Sequence, residues 1–226
     1  MEQNVSNQPY TSSWSHFQTS IQLVRDNLEP IIILSLLPAL LTQLGSVLVT
    51  KHNDTGYLLS LVGGIWTFIN MPAIVVLQLR GARNKATTVN EAYTQGFRHI
   101  WQVLGTLLLS GVLILLGFIC LIVPGLMLLR RYALAPYYVV DKKMDVGQAM
   151  KRSWEDSNHA AGYIWGTIGV VLVISICSSI LGAILGFVPG ASAIIASILS
   201  LAAFFLLPLR YIEVSRHAKA AATSSN

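Results

Sequence analysis

Six stretches of this chain are continuously apolar, and the polar positions gather between them. A helix rising 1.5 Å per residue needs about 20 apolar residues to cross roughly 30 Å of hydrocarbon. Ile31–Val49, Tyr57–Leu79, Trp101–Val123, Ala161–Val188 and Ala191–Ile212 have that character. Leu126–Val140 is shorter and carries Arg130 and Arg131. The pattern predicts an all-α, polytopic integral membrane bundle of six spans, forming one membrane domain over residues 1–226. Pro124-Gly125 is expected to stop the third span and Pro189-Gly190 the fifth.

Between the spans the periodicity changes. Thr88-Val-Asn-Glu91 has capping-box form, and Asp145-Val-Gly-Gln148 is a close variant. Val89, Ala92, Tyr93, Gly96, Phe97 and Ile100 follow the first; Val146, Ala149, Met150, Ser153 and Trp154 follow the second. This spacing predicts amphipathic helices. Ser13 is the expected cap of a third, with Trp14, Phe17, Ile21, Val24 and Leu28 on one face. Aromatic content and flanking basic residues suit helices lying in the membrane interface, anchored by Trp14, Phe97, Trp101 and Trp154. A soluble cap packed on the bundle ends is the other reading.

Amphipathic helix, long span, tight turn and return span recur in that order, over about 13–80, 88–140 and 145–212. TVNEAYTQGF aligns with DVGQAMKRSW, and VPG with VPG. Each return span contains a proline, Pro72, Pro136 or Pro208, expected to break its helix. Residues 1–11 and 217–226 are expected to be flexible. Gly162 with Gly166, Gly182 with Gly186, and Ser192, Ala196 and Ser200 mark faces for close helix packing within the chain or between copies. Oligomeric state is left open.

Composition agrees with this architecture. Hydrophobic residues make up 54% and charged residues 11%, against about 25% charged in soluble domains; mean hydropathy is +0.61. The net charge of +5 lies in short connections: Arg80, Arg83, Lys85 and Arg98, then Lys142, Lys143, Lys151 and Arg152, then Arg216 and Lys219. Only Lys51 falls in the tight turns. Basic loops stay inside, so both termini are expected on the cytoplasmic side. No basic folded face is predicted, so nucleic acid is not an expected partner. Met1–Thr11 lacks the charged and apolar regions of a signal peptide, so the first span is expected to direct insertion. Cys120 and Cys177 read as small hydrophobes.

VPGLMLLRRYALAPYYVVD, followed by DVGQAMKRSW and another long apolar span, resembles the YciC-type family of bacterial inner-membrane proteins. It is also similar to the membrane domain attached to some glycerophosphoryl diester phosphodiesterases. The likeness covers roughly residues 88 to 215, and the first 80 by hydropathy only. It implies a polytopic helical domain of the bacterial cytoplasmic membrane. No catalytic residue carries over, because the phosphodiesterase chemistry belongs to a separate soluble domain.

Candidate chemistry is sparse. His16, His52, His99, His159 and His217 show no metal-ligand spacing, and no acidic residue lies near the centre of a span. Ser175, Ser178 and Ser179 have no base near them in sequence. No catalytic residue, metal or cofactor is expected, and the chain does not read as an enzyme. Arg130 and Arg131 are the candidate site, because an ionisable residue within a span is a functional hypothesis by default. They would snorkel to the outer headgroups, pair with proline-freed carbonyls or with Asn70 and Gln78, or hold an anion or lipid headgroup by bidentate hydrogen bonds. The expected role is a non-enzymatic accessory or scaffold protein, with membrane lipids, anionic ones included, and other membrane proteins as partners. A small transporter or channel for an anionic or amphipathic solute is the alternative.

Overall fold

Hydrocarbon offers no water to bond backbone groups, so a chain this apolar satisfies them within helices. The computed structural model describes residues 10–49, 54–184, 201 and 203–224, and its regular structure is helical throughout. Pro189, Gly190, Gly186, Ser192, Ala196, Ser200 and half of the sixth predicted span lie outside the described residues. In chain order the helices are α1 (Ser13–Asp26), α2 (residues 28–49), α3 (Asp54–Gly81), α4 (Val89–Phe97) and α5 (Ile100–Cys120). They continue with α6 (Ile122–Tyr132), α7 (Ala135–Lys142), α8 (Val146–His159), α9 (Ala161–Ile184) and α10 (Leu206–Ser224).

Among the described residues, four helical stretches are long and apolar enough to cross a membrane: Leu28–Ser46, Asp54–Gly81, Ile100–Cys120 and Ala161–Leu181. The fourth predicted span is not one helix. It divides into α6 and α7 at Ala133-Leu134, because Pro136 cannot donate to the Tyr132 carbonyl and its ring crowds that oxygen. Pro72 has no such effect, and α3 runs through it unbroken. Pro124-Gly125 is not the turn after α5. The chain breaks at Leu121, and Pro124 sits in the first turn of α6, where its missing N–H is not needed. Gly125 then lets α6 fold back on α5, since a Cβ there would lie 2.5 Å from the Phe118 ring. Pro208 likewise occupies the first turn of α10, and residues 217–224 continue that helix.

Two amides of α3 donate to backbone carbonyls of neighbouring segments. Pro38 has no N–H for the Leu34 carbonyl, and Asn70 Nδ2 of α3 donates to that oxygen at 3.1 Å. Asn70 Oδ1 accepts from Tyr93 of α4 at 2.8 Å. Just before α10, the Phe204 carbonyl accepts from Gln78 Nε2 at 2.9 Å, while Gln78 Oε1 accepts from Tyr137 of α7 at 2.9 Å. Each amide thereby ties three segments at otherwise costly buried backbone positions.

Burial concentrates at the end of the bundle that carries the basic connections. One cluster joins Val75, Leu134, Tyr138, Ala149, Ile164 and Tyr211; a second joins Leu23, Ile31, Leu77, Ala92 and Phe205. Towards the α5–α6 turn, Leu115, Leu116 and Ile119 face outwards, as do Val173, Ile176 and Ile180 of α9.

The amphipathic helices start at or within a residue of the predicted caps, although Asp145 makes no side-chain cap bond to α8. Thr88 Oγ1 caps α4 by accepting from Glu91 N–H at 3.3 Å. For α1 the cap is Ser12, one residue before the predicted Ser13, accepting from Ser15 N–H at 3.2 Å. Its packed face also differs from the predicted apolar stripe. His16, Ser20 and Leu23 are buried, whereas Trp14 and Ile21 point outwards. Each of these helices seats one small residue on another helix. Phe205 N–H donates to Ser20 Oγ at 3.2 Å, Ser153 Oγ donates to the Arg131 carbonyl at 2.6 Å, and Gly96 lies against the backbone of Pro72 and Ala73.

Candidate functional site

Arg130 and Arg131 occupy the last turn of α6. Because the chain breaks just beyond them, α8 can fold back against this turn through Ser153. That contact places the Arg131 guanidinium over the Trp154 ring, 3.6 Å from its centroid, with Tyr132 packing on the same indole at 5.8 Å. Arg131 therefore engages an amphipathic helix. Arg130 differs. Its Nε is enclosed and has no hydrogen-bond partner, and it forms no ion pair among the described residues. Asn70 and Gln78, considered as partners for these arginines, instead bind the carbonyls described above.

A cation on an indole face contributes about 0.5–2 kcal/mol, depending on desolvation. Trp154→Leu and Arg131→Gln are each expected to lower the melting temperature in detergent. A double-mutant cycle should return a coupling within that range. Additive effects would mean that the stack contributes nothing.

Other predicted site residues are dispersed. Trp14, Phe97, Trp101 and Trp154 are exposed on the flanks of the bundle, Trp101 to 81%. Exposure of this kind does not gather them into one site. Pro72, Pro136, Pro208, Pro124 and Gly125 lie within helices, as described above.

Sequence reasoning missed a second polar centre. Arg210 of α10 is fully buried. Its Nε donates to Thr167 Oγ1 at 3.0 Å, one terminal nitrogen donates to the Thr11 carbonyl at 3.1 Å and to Glu213, and the other donates to Ser13 Oγ at 3.3 Å. Glu213 also accepts from Thr11 N–H, and His16 Nε2 approaches it at 3.8 Å. Burial and the neighbouring Arg210 charge hold the His16 pKa below its ordinary value. Burial, with the Glu213 charge, raises that of Tyr10. The group fastens α1 to α9 and α10. Its one sequence signal was the Arg210–Glu213 spacing of three residues at the end of an apolar run.

Near these groups, Tyr138 donates to Asp156, which also pairs with Arg152. Asp141 takes Arg83, Lys142 and the Tyr211 hydroxyl at 2.8 Å. Among the described residues no group of His, Cys, Asp and Glu could hold a metal ion.

Four span-length apolar helices and amides that cap backbone between helices define an α-helical membrane protein. Compared with known protein families, curated proteins and solved structures, the chain finds no match.

Proposed function

We propose that this chain is a non-enzymatic accessory or scaffold protein of a bacterial cytoplasmic membrane, akin to the YciC-type proteins. In this reading it has six spans in three repeated units, with both termini cytoplasmic, and engages lipids and other membrane proteins through its amphipathic helices. The carrying observation is a shared register. Ser20, Gly96 and Ser153 each stand eight residues after the helix N-cap (Ser12, Thr88, Asp145), and each meets a helix near Pro208, Pro72 or Pro136. Every amphipathic helix thus seats on the return segment of the preceding unit, and the first seats on the last. Meanwhile Trp14, Phe97 and Trp154 are left facing outwards. The interior amides and tyrosines bond to backbone and to one another, which supports packing over a polar lining for a solute path.

Single cysteines test the topology in a background with Cys120→Ala and Cys177→Ala. Those at residues 3 and 224 are expected to resist a membrane-impermeant thiol reagent in intact cells, while one replacing Asn53 reacts. External labelling of either terminus would overturn the six-span arrangement. Purification in native lipid, followed by mass spectrometry, is expected to recover lipid or protein partners reproducibly.

A further inference from the structure

Arg130 is chemically incomplete. A guanidinium offers five donors in a fixed fork, and an enclosed N–H without an acceptor is costly. The charge beside it is another guanidinium, Arg131, whose position is set by Trp154. Among the described residues no carboxylate pairs with Arg130: Asp156 holds Tyr138 and Arg152, and Asp141 holds Arg83, Lys142 and Tyr211. The side chain as a whole is partly exposed, which leaves its terminal nitrogens open to an anion with oxygens spaced for them, and phosphate has that geometry.

The surroundings favour a phosphate carrying acyl chains. One turn back along α6, Met127 is exposed, and Leu121, Ile122 and Val123 continue an outward apolar surface to the hairpin turn. On the other side stand Tyr132 and Trp154, aromatic residues of the kind that settle at headgroup depth. A headgroup at Arg130 would thus leave its chains along an apolar helix face.

We propose that Arg130 binds the phosphate of an anionic phospholipid at the junction of α6 and α8, and that Arg131, stacked on Trp154, positions the site. This rests on the membrane-protein reading above and deepens it by naming the ligand class. Native mass spectrometry of the full chain from micelles with equal phosphatidylglycerol and phosphatidylcholine reads the site out. The parent is expected to retain phosphatidylglycerol preferentially. Arg130→Lys keeps the charge but loses the fork, and should weaken retention about tenfold, the scale of one charged hydrogen bond. Arg130→Gln should reduce it to the phosphatidylcholine level with the melting temperature maintained. Arg131→Lys should change it by no more than about twofold, since Lys can still face the indole. Equal retention by the parent and Arg130→Gln overturns the site. Titration with inorganic phosphate covers the other source of the same chemistry. Saturable, Arg130-dependent phosphate binding without selective lipid retention would overturn the lipid assignment. The cysteine labelling pattern stands apart from all these arms, so loss of lipid selectivity with that pattern intact would sink this site alone.

Discussion

Replacing Arg210 by methionine is expected to lower the melting temperature by on the order of 10 °C and to release α1 from the bundle. Arg210 is 0% exposed and bonds Thr167, Thr11, Ser13 and Glu213 at once. Removing one member of a buried ion pair costs about 3–5 kcal/mol, because the remaining charge keeps its desolvation and loses its partner. Here Glu213 would be that charge, and three further acceptors would lose their donor. Glu213→Gln should be milder, since its one amide oxygen still accepts from Thr11 or Arg210, which bond different oxygens of the carboxylate. The double variant should fall short of the sum of the singles, because the two side chains share one network. Melting curves give the size of the effect, and limited proteolysis within residues 10–26 gives its location. A parental melting temperature and a protected α1 in Arg210→Met would refute the assigned role.

A comparable loss is expected from Gly96→Val. A Cβ at Gly96 would lie 2.7 Å from Ala73 N, 2.8 Å from the Pro72 carbonyl carbon and 2.9 Å from Ala73 Cα. These are backbone atoms of α3 and cannot rotate away. Helix α4 must therefore lift, stretching the Tyr93–Asn70 hydrogen bond and the Arg80–Glu91 ion pair at 3.2 Å. Overpacking of this kind costs about 1–3 kcal/mol for a small excess of volume, and valine adds more than the one carbon that already clashes. Gly147 is the internal control. Nothing lies within 4 Å of a Cβ built there, so Gly147→Ala should leave stability unchanged or raise it by up to about 1 kcal/mol. If both substitutions shift the melting temperature alike, the close approach of α4 to α3 is not what constrains residue 96.

The two positions also show what hydropathy can and cannot reveal. Span-length helices were legible because bilayer thickness sets their length, and Thr88 was legible because a capping hydroxyl acts within one turn. The packed faces were legible in α4 and α8, where buried Ala92, Gly96, Ala149, Met150 and Ser153 lie on the predicted stripes, but not in α1. In a soluble helix the apolar stripe marks the core, but where lipid surrounds the bundle, the stripe points outwards as readily as inwards. In α1 the buried face is His16, Ser20 and Leu23, with Trp14 and Ile21 turned away. Small and polar residues mark helix contact here, and sequence reading gave them less weight than the aromatic ones. Local rules also misjudged the prolines. Pro72 is carried within α3, and Pro124 is absorbed in a first turn, so neither breaks a helix where a lone-proline rule would place the break. The Arg131–Trp154 stack and the Arg210 cluster join residues far apart along the chain, and no periodicity within one helix encodes such partners.

Helix α1 is made first and seated last. Its bond from Arg210 to the Thr11 carbonyl spans 199 residues. At a synthesis rate of about 5–20 residues per second, roughly 10–40 seconds separate the two ends of that bond at the ribosome. Helices α4 and α8, by contrast, fold back onto segments completed just before them. Through that interval neither Arg210 nor Glu213 is present to hold Thr11 and Ser13. An α1 without those bonds therefore marks a chain whose α10 has yet to emerge.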